Sequence, residues 1–253
     1  MKAVILAAGK GTRMKELTNE RPKPMLFVHG KPIIQHILEG LKNAGILEIF
    51  IVTGYKAEII EDYFKDGSSL GLKICYGRQT VQDGTGHAPL VARDFVGNDP
   101  FLLTYGDILV KPTTYSEIIK KFYSSIYSGL ITVTRGEDFT KGGLIIFDNN
   151  FILKDLIEKP SPEQVQQLLN TGLLQKDQPC WYNAGIYIFK PIIYKFIDQI
   201  QKSPRGEYEL TDAILGMAKA GYRITGFEIQ GRWVDVRDPV VLSKLQQEQP
   251  ENL

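Results

Sequence analysis

Cysteine is scarce in this chain, which has Cys75 and Cys180 as its two cysteines among 253 residues. Two isolated thiols are too few for a disulfide framework, and they lack the close spacing of a zinc site. We therefore expect both cysteines to be free, reduced and structural.

Long apolar runs and an excess of one charge are also lacking. No run approaches the roughly 18 apolar residues of a membrane span, and the first residues lack the pattern of a secretory signal. The 30 basic and 29 acidic residues nearly cancel, so no general field attracts nucleic acid or an acidic membrane. We expect a soluble, cytoplasmic protein with no nucleic-acid or membrane partner, in which any site for a polyanion is local.

Apolar segments are plentiful, at 43% hydrophobic residues, and they alternate between strand and helix patterns. Residues 3–7 form a short apolar run, residues 33–44 carry apolar side chains at helical spacing, and residues 49–52 form the next run. This order predicts a βαβ unit and an α/β fold with a parallel sheet. Further helices are predicted over 57–64, 114–125, 161–169 (with Ser161 as N-cap) and 240–249, and further strands over 73–76, 101–110, 130–133, 144–147 and 181–189. Residues 227–236 form one further segment, which ends in Trp-Val-Asp.

The first predicted strand ends in a glycine loop. Gly9 and Gly11 let the backbone turn tightly and bring its N–H groups close to a ligand. Thr12 and Arg13 add a hydroxyl and a permanently charged fork that suits phosphate oxygens. The glycines alone would fit an ordinary turn equally well, but the whole set predicts a cradle for a triphosphate.

Lys23 follows this loop between two prolines, which stiffen the backbone and present the ammonium from a fixed segment. Two better-known phosphate-binding loops are excluded because this sequence lacks residues that their motifs require. A Walker A loop requires Lys-Ser/Thr after its last glycine, and a dinucleotide fingerprint requires a third glycine where Met14 stands.

The sequence LAAGKGTRM at 6–14, followed by RPKPML at 21–26, resembles the signature of the sugar-1-phosphate nucleotidylyltransferases. These enzymes make nucleotide sugars from a nucleoside triphosphate. The resemblance covers nearly the whole chain and implies one Rossmann-like nucleotidyltransferase domain over 1–253, with a mixed, mostly parallel central sheet flanked by helices. It implies that 1–110 mainly binds nucleotide, with Leu6 and Ala8 beside the glycines, and that 111–253 mainly binds sugar phosphate.

The segment 78–90 is interpreted as a base-recognition loop. The Gln79 amide can donate and accept at once, Gly84 permits close approach to a flat base, and Thr85 can cap the helix that follows. Taken alone, these residues are better explained by a surface turn with a capped helix. The segment also resembles the family's base-recognition motif, which implies that all three lie at the base, whereas His87 is expected to be structural.

Two distant aspartates are candidates for a metal site. Asp107 follows a buried strand, at the edge where ligands gather in an open parallel sheet, and Mg²⁺ prefers such carboxylate oxygens. An ordinary turn is the alternative. The resemblance implies that Asp107 binds Mg²⁺ and that Asp235, in a Trp-x-Asp element at 233–235, is the second ligand.

The sugar side rests mainly on the resemblance. It implies that Gly143 lines the sugar pocket, that Glu158 and Asn183 contact the sugar and that Lys159 binds its phosphate. The family commonly has Tyr where Gly142 stands. Three acids at 207, 209 and 212 are interpreted as a favourable charge at the start of a helix.

The resemblance thus implies condensation of a nucleoside triphosphate, with UTP or dTTP favoured, and a hexose 1-phosphate, with glucose 1-phosphate favoured. Arg13, Lys23, Asp107, Lys159 and Asp235 are the predicted catalytic residues. Two alternatives stay open: a cytidylyltransferase for an alcohol phosphate such as phosphocholine, with a cage of aromatic residues near 181–182, and a catalytically silent subunit that binds a nucleotide sugar. A homo-oligomer is compatible with all three.

Overall fold

The computed structural model describes residues 1–174 and 180–249. Within these residues the strands are β1 (Lys2–Leu6), β2 (Phe27–Val28), β3 (Lys31–Pro32), β4 (Glu48–Thr53), β5 (Lys73–Arg78), β6 (Phe101–Tyr105), β7 (Ile108–Val110), β8 (Gly129–Thr134), β9 (Gly143–Phe147), β10 (Leu153–Glu158), β11 (Trp181–Phe189), β12 (Ile224–Glu228) and β13 (Trp233–Asp235). The α-helices are α1 (Ile33–Asn43), α2 (Ala57–Phe64), α3 (Arg93–Val96), α4 (Thr113–Tyr123), α5 (Pro162–Asn170), α6 (Ile193–Ile197), α7 (Leu210–Lys219) and α8 (Pro239–Gln247).

A nine-stranded sheet in the described part of the chain forms the centre of the molecule. Strands β6, β1, β4 and β5 run parallel to one another in that order. Strand β11 lies antiparallel to β6 and connects this half to β9 and β10 on one path and to β8 and β12 on another. The predicted α/β fold with a mixed, mostly parallel sheet is confirmed.

Strand β1 shows why the sheet is covered on both faces. Ala3 and Ile5 belong to one hydrophobic cluster, which includes α1 and α4, whereas Val4 and Leu6 belong to a second cluster, which includes α6 and α7. A parallel strand with both faces buried has no polar side to show, which explains its continuous apolar run.

Two segments that were predicted as single units are each divided. The predicted strand over 101–110 ends at Tyr105, and β7 starts after a turn at Gly106 and Asp107. The predicted segment over 227–236 is likewise two strands, β12 and β13, in different sheets. Strands β7 and β13 leave the central sheet and pair with each other as an antiparallel ribbon.

The remaining predicted elements lie within a few residues of the observed ones. Ser161 caps α5 as predicted, and Gln164 completes a capping box. Both cysteines are free. The sequence predicts a mobile loop or a small insertion in the polar stretch at 170–178, which lies partly outside the described residues. Within the described ranges, no helix is long and apolar enough to cross a bilayer.

Candidate active site

A cleft opens where the parallel strands end, and β1 leads directly into it. Ala7 donates a backbone hydrogen bond to Val52 at 2.8 Å, and Gly106 donates one to Leu6 at 2.9 Å, so the three strand ends are tied together. The residues predicted for the site all line this cleft: Leu6, Ala8, Gly9, Gly11, Thr12, Arg13, Lys23, Gln79, Gly84, Thr85, Asp107, Gly143, Glu158, Lys159, Asn183 and Asp235.

The glycine loop packs against the segment that carries Lys23. Gly11 has φ +65°, and a Cβ there would lie 3.0 Å from the Cβ of Lys23. A side chain at position 11 would therefore be strained and would also push Lys23 away. Arg13 is exposed beyond the loop, where its guanidinium is free to meet an anion entering the cleft.

Lys23 lies between the two predicted metal ligands. Its Nζ donates to Asp107 Oδ2 at 2.5 Å and lies 3.7 Å from Asp235 Oδ1. Burial opposes the charge on Lys23, but attraction to Asp107 and Asp235 outweighs it and raises the pKa of Lys23. The ammonium therefore stays protonated while it is mostly withdrawn from water.

The ribbon of β7 and β13 explains how two aspartates so distant in sequence meet. Asp235 is the register partner of Ile108, and Val236 donates a backbone hydrogen bond to Asp107 at 3.0 Å. Burial, and then the nearby charge of Asp107, raise the pKa of Asp235 to about 6. The two carboxylates repel each other, and a cation between them relieves that repulsion.

These two carboxylates fit Mg²⁺ in a particular way. Among the described residues no cluster of three or more His, Cys, Asp or Glu side chains is placed to hold a metal. Mg²⁺ is commonly bound by one or two carboxylates together with substrate phosphates, rather than by a cage made of protein alone. Asp107 and Asp235 beside a phosphate loop match that donor set.

The loop at 79–86 is built differently from its prediction. Gln79 is buried and its Nε2 donates to the Gly84 carbonyl at 3.3 Å. Gly84 has φ +125°, and a Cβ there would lie 2.6 Å from the backbone nitrogen of Tyr208. Gly84 lines the cleft, but its missing side chain makes room for the backbone of Tyr208.

The prediction that Thr85 caps the following helix is wrong. The next helical turn, a 3-10 helix over Ala88–Ala92, has His87 at its N-cap and no side-chain cap. The Thr85 hydroxyl instead accepts from the backbone N–H of Leu210, at 3.3 Å, at the start of α7. Thr85 therefore caps a helix that lies 125 residues away in the sequence. His87 stacks on Tyr208, with ring centroids 3.7 Å apart.

The predicted sugar residues converge on Gly143. A Cβ at this position would lie 3.0 Å from the Cβ of Asn183 and 3.5 Å from Oε2 of Glu158. Asn183 is held from behind, because its Oδ1 accepts from the Tyr187 hydroxyl at 3.0 Å and from the Gly185 N–H at 3.2 Å. Within residues 1–174 and 180–249 its NH₂ group makes no hydrogen bond, so it can donate to a ligand. Burial raises the pKa of Glu158, against the opposing charge of Lys159.

Lys159 has an unusual backbone. It is a non-glycine residue with φ +46°, and its N–H donates to the Gly142 carbonyl at 2.7 Å. Left-handed backbone at such a residue costs free energy and persists where the surroundings enforce it. The hydrogen bond fixes the direction in which Lys159 leaves the end of β10.

A charged group on the sugar side was missed by the sequence reasoning. Glu209 is 4% exposed, and its Oε1 accepts from Arg205 Nη2 at 2.5 Å and from the Ser203 hydroxyl at 3.1 Å. Arg205 also lies 4.0 Å from Glu158, and Arg205, Glu207 and Glu209 line the cleft. The interpretation of Glu209 as a helix-dipole charge was incomplete. The sequence does carry a signal for this ion pair, because residues 205 and 209 have opposite charges and lie four positions apart, just before the buried Leu210.

The cleft therefore combines local positive charge with two acids that suit a metal. Arg13, Lys23, Lys159 and Arg205 reach it from four separate segments, although the whole chain is nearly neutral. Such an arrangement can hold two phosphorylated ligands side by side and offset the repulsion between them.

Comparison with known proteins identifies the family of this chain. The family model described as Nucleotidyl transferase matches residues 2–250. The bifunctional protein GlmU of Methanococcus maripaludis is 36% identical over 94% of the chain, and the glucose-1-phosphate thymidylyltransferase of Streptomyces griseus is 31% identical over 93%. The chain spans 52% and 62% of these two relatives.

A crystal structure of UDP-glucose pyrophosphorylase complexed with UDP-glucose superimposes with a TM-score of 0.82 at 26% identity. The match covers 97% of this chain and 96% of that one. The fold, the cleft at the strand ends and these matches agree with one another, and the chain belongs to the family of sugar-1-phosphate nucleotidylyltransferases.

Proposed function

We propose that this chain transfers a nucleotidyl group from a nucleoside triphosphate to a sugar 1-phosphate, releasing pyrophosphate. The observation that carries the proposal is the position of Lys23, whose ammonium lies between Asp107 and Asp235 and beside the glycine loop. Asp107 and Asp235 would hold Mg²⁺, which supplies further positive charge beside the phosphates when bound.

In this reaction an oxygen of the sugar phosphate forms a bond to the α-phosphorus, and the bond from that phosphorus to the pyrophosphate oxygen breaks. The second pKa of a phosphate monoester is about 6, so the attacking oxygen is already anionic at neutral pH. No general base is needed, and catalysis consists of in-line positioning and neutralisation of charge.

Each cation then has a separate task. Arg13 would hold the β- and γ-phosphates and stabilise the leaving pyrophosphate. Lys23 would neutralise the α-phosphate. Lys159, whose backbone N–H is hydrogen-bonded to the Gly142 carbonyl, would orient the sugar phosphate. Gln79, Gly84 and Thr85 would enclose the base, while Gly143, Glu158 and Asn183 would meet the sugar.

UTP or dTTP and glucose 1-phosphate are the favoured substrates. Two of the similar proteins, a glucose-1-phosphate thymidylyltransferase and a UDP-glucose pyrophosphorylase, support this choice. A phosphocholine cytidylyltransferase has less support, since the Arg135 guanidinium lies 4.3 Å from the centre of the Trp181 ring. A cation already occupies that face, where an ammonium cage would require an open one.

The test is pyrophosphate release with Mg²⁺ across the common nucleoside triphosphates, each paired with several sugar 1-phosphates and with phosphocholine. We expect release with UTP or dTTP and glucose 1-phosphate. Release with CTP and phosphocholine would favour the cytidylyltransferase. Folded protein that is silent with every pair but binds a nucleotide sugar would favour the catalytically silent subunit.

A further inference from the structure

The ring of Tyr182 occupies the space that a side chain at Gly142 would need. A Cβ built on Gly142 would lie 2.6 Å from Cε2 of Tyr182, which is far inside van der Waals contact. Both residues line the cleft. The Tyr182 ring can therefore occupy this space only because residue 142 is glycine.

The ring is held firmly on its other sides. Tyr182 is paired in β11 with Leu144 and Thr134 on the neighbouring strands. Its ring meets Trp233 edge to face at a centroid distance of 5.6 Å, and the Trp233 indole donates to the Ala184 carbonyl at 2.8 Å. The phenol is thus presented by a rigid strand rather than by a loop.

The hydroxyl of Tyr182 has no protein hydrogen-bond partner among residues 1–174 and 180–249, although the residue is 7% exposed. The hydroxyl oxygen itself keeps some exposure, so a ligand in the cleft can reach it. Burial, followed by the charge of Asp235, raises the pKa of Tyr182 to about 12. The phenol therefore keeps its proton and is a ready donor in the wall of the cleft.

We propose that the Tyr182 hydroxyl donates a hydrogen bond to the sugar 1-phosphate and that glycine at position 142 leaves the space that the Tyr182 ring occupies. The pair would then contribute to the choice of the acceptor sugar. This inference rests on the proposed function and adds a binding residue to it. The sugar phosphate is the expected partner because Gly142, through its carbonyl, also fixes Lys159.

The experiment compares steady-state constants of the wild type, Tyr182→Phe and Gly142→Ala. Phenylalanine keeps the ring packing and removes the donor, so KM for the sugar 1-phosphate should rise about tenfold, the usual scale for one lost hydrogen bond to a ligand. KM for the triphosphate should change less than about twofold. Gly142→Ala should displace the ring and raise the same KM.

A second pair in this chain gives a matched control. A Cβ at Gly40 would lie 2.6 Å from Cε2 of Tyr115. The Tyr115 hydroxyl is buried in the core, away from the cleft, and it has no partner in the described part of the chain. Tyr115→Phe removes the same atom and should leave both KM values unchanged. Thermal melting shows whether each variant is folded. If Gly142→Ala does not fold, Tyr182→Phe alone tests the proposal.

The outcomes separate the two proposals. Turnover by the wild type with an unchanged sugar-phosphate KM in Tyr182→Phe would overturn the role of Tyr182 and leave the proposed function standing. If the wild type does not turn over, calorimetric titration with glucose 1-phosphate replaces kinetics, and weaker binding by Tyr182→Phe than by Tyr115→Phe would support the inference. Wild type that neither turns over nor binds any sugar phosphate would overturn both.

Discussion

Lys23 is the residue on which the proposed chemistry depends most. It is mostly buried, its side chain being 12% exposed, and it is flanked by Pro22 and Pro24. A positioned cation of this kind stabilises charge that develops in the transition state more than it strengthens binding of the ground state.

Lys23→Ala should therefore lower kcat by about a hundredfold and change KM for the triphosphate much less. Steady-state kinetics measures both, with Lys154→Ala, an exposed lysine on β10, as the control. Because the change leaves Asp107 and Asp235 without their cation, circular dichroism must first show a folded variant. A normal kcat would remove Lys23 from the mechanism.

The two aspartates give a second prediction at the scale of single residues. Asp107→Asn and Asp235→Asn should each raise the Mg²⁺ concentration needed for half-maximal rate, by about tenfold or more, because each removes a negative oxygen ligand. Activity measured over a range of Mg²⁺ concentrations tests this. Asp94→Asn, at an exposed position on α3, is the control. Normal titrations for both variants would refute the two-carboxylate site.

At the scale of elements, α5 is stabilised at its start by a local device. The Ser161 hydroxyl accepts from the Gln164 N–H at 3.3 Å, and Gln164 Oε1 accepts from the Ser161 N–H at 2.9 Å. Ser161→Ala should lower the free energy of unfolding by about 1 kcal/mol. Urea denaturation measures this, and Ser116→Ala within α4 should cause no loss. Equal stability of the Ser161 variant and the wild type would show that the cap contributes nothing to the free energy of unfolding.

The loop that is proposed to recognise the base depends on the glycine at position 84. Gly84→Ala should force the loop away from the Tyr208 backbone and raise KM for the triphosphate by about tenfold or more, because both the positive φ and the contact forbid a Cβ. Gly97→Ala is the matched control, since φ there is +67° with no atom within 4 Å of the new Cβ. It should lose stability without a change in KM. If both variants keep the KM of the wild type, the loop does not position the nucleotide.

At the scale of the whole molecule, the sequence predicts elements well where one pattern is unbroken. The helix Ala57–Phe64 and the strand Trp181–Phe189 have their predicted bounds. The run at 101–110 misleads because apolar residues continue on both sides of the turn, so the pattern gives no sign that β7 leaves the central sheet. The Gly-Asp pair at 106–107 also predicts the end of a strand, and β6 does end just before it.

The candidate site also has features that can be predicted from the sequence and features that cannot. The glycine loop and the prolines around Lys23 are local features, and they can be recognised from short stretches of sequence. The hydrogen bond from Leu210 to Thr85 and the contact between Arg205 and Glu158 depend on chain segments that meet only after folding. No local pattern encodes such pairs, which is why the cap on α7 was assigned to the wrong helix.

Tyr208 joins the loop of the nucleotide side to the segment of the sugar side. Its N–H donates to the Asp83 carbonyl at 2.8 Å, and its own carbonyl accepts from the Gly86 N–H at 2.8 Å. The residues that follow Arg205 therefore cannot shift without moving the loop around Gly84. We expect each proposed substrate to order this shared bridge and so to favour binding of the other, and thermodynamic linkage makes the two effects equal in size. Binding of the two substrates should accordingly be cooperative within a single cleft.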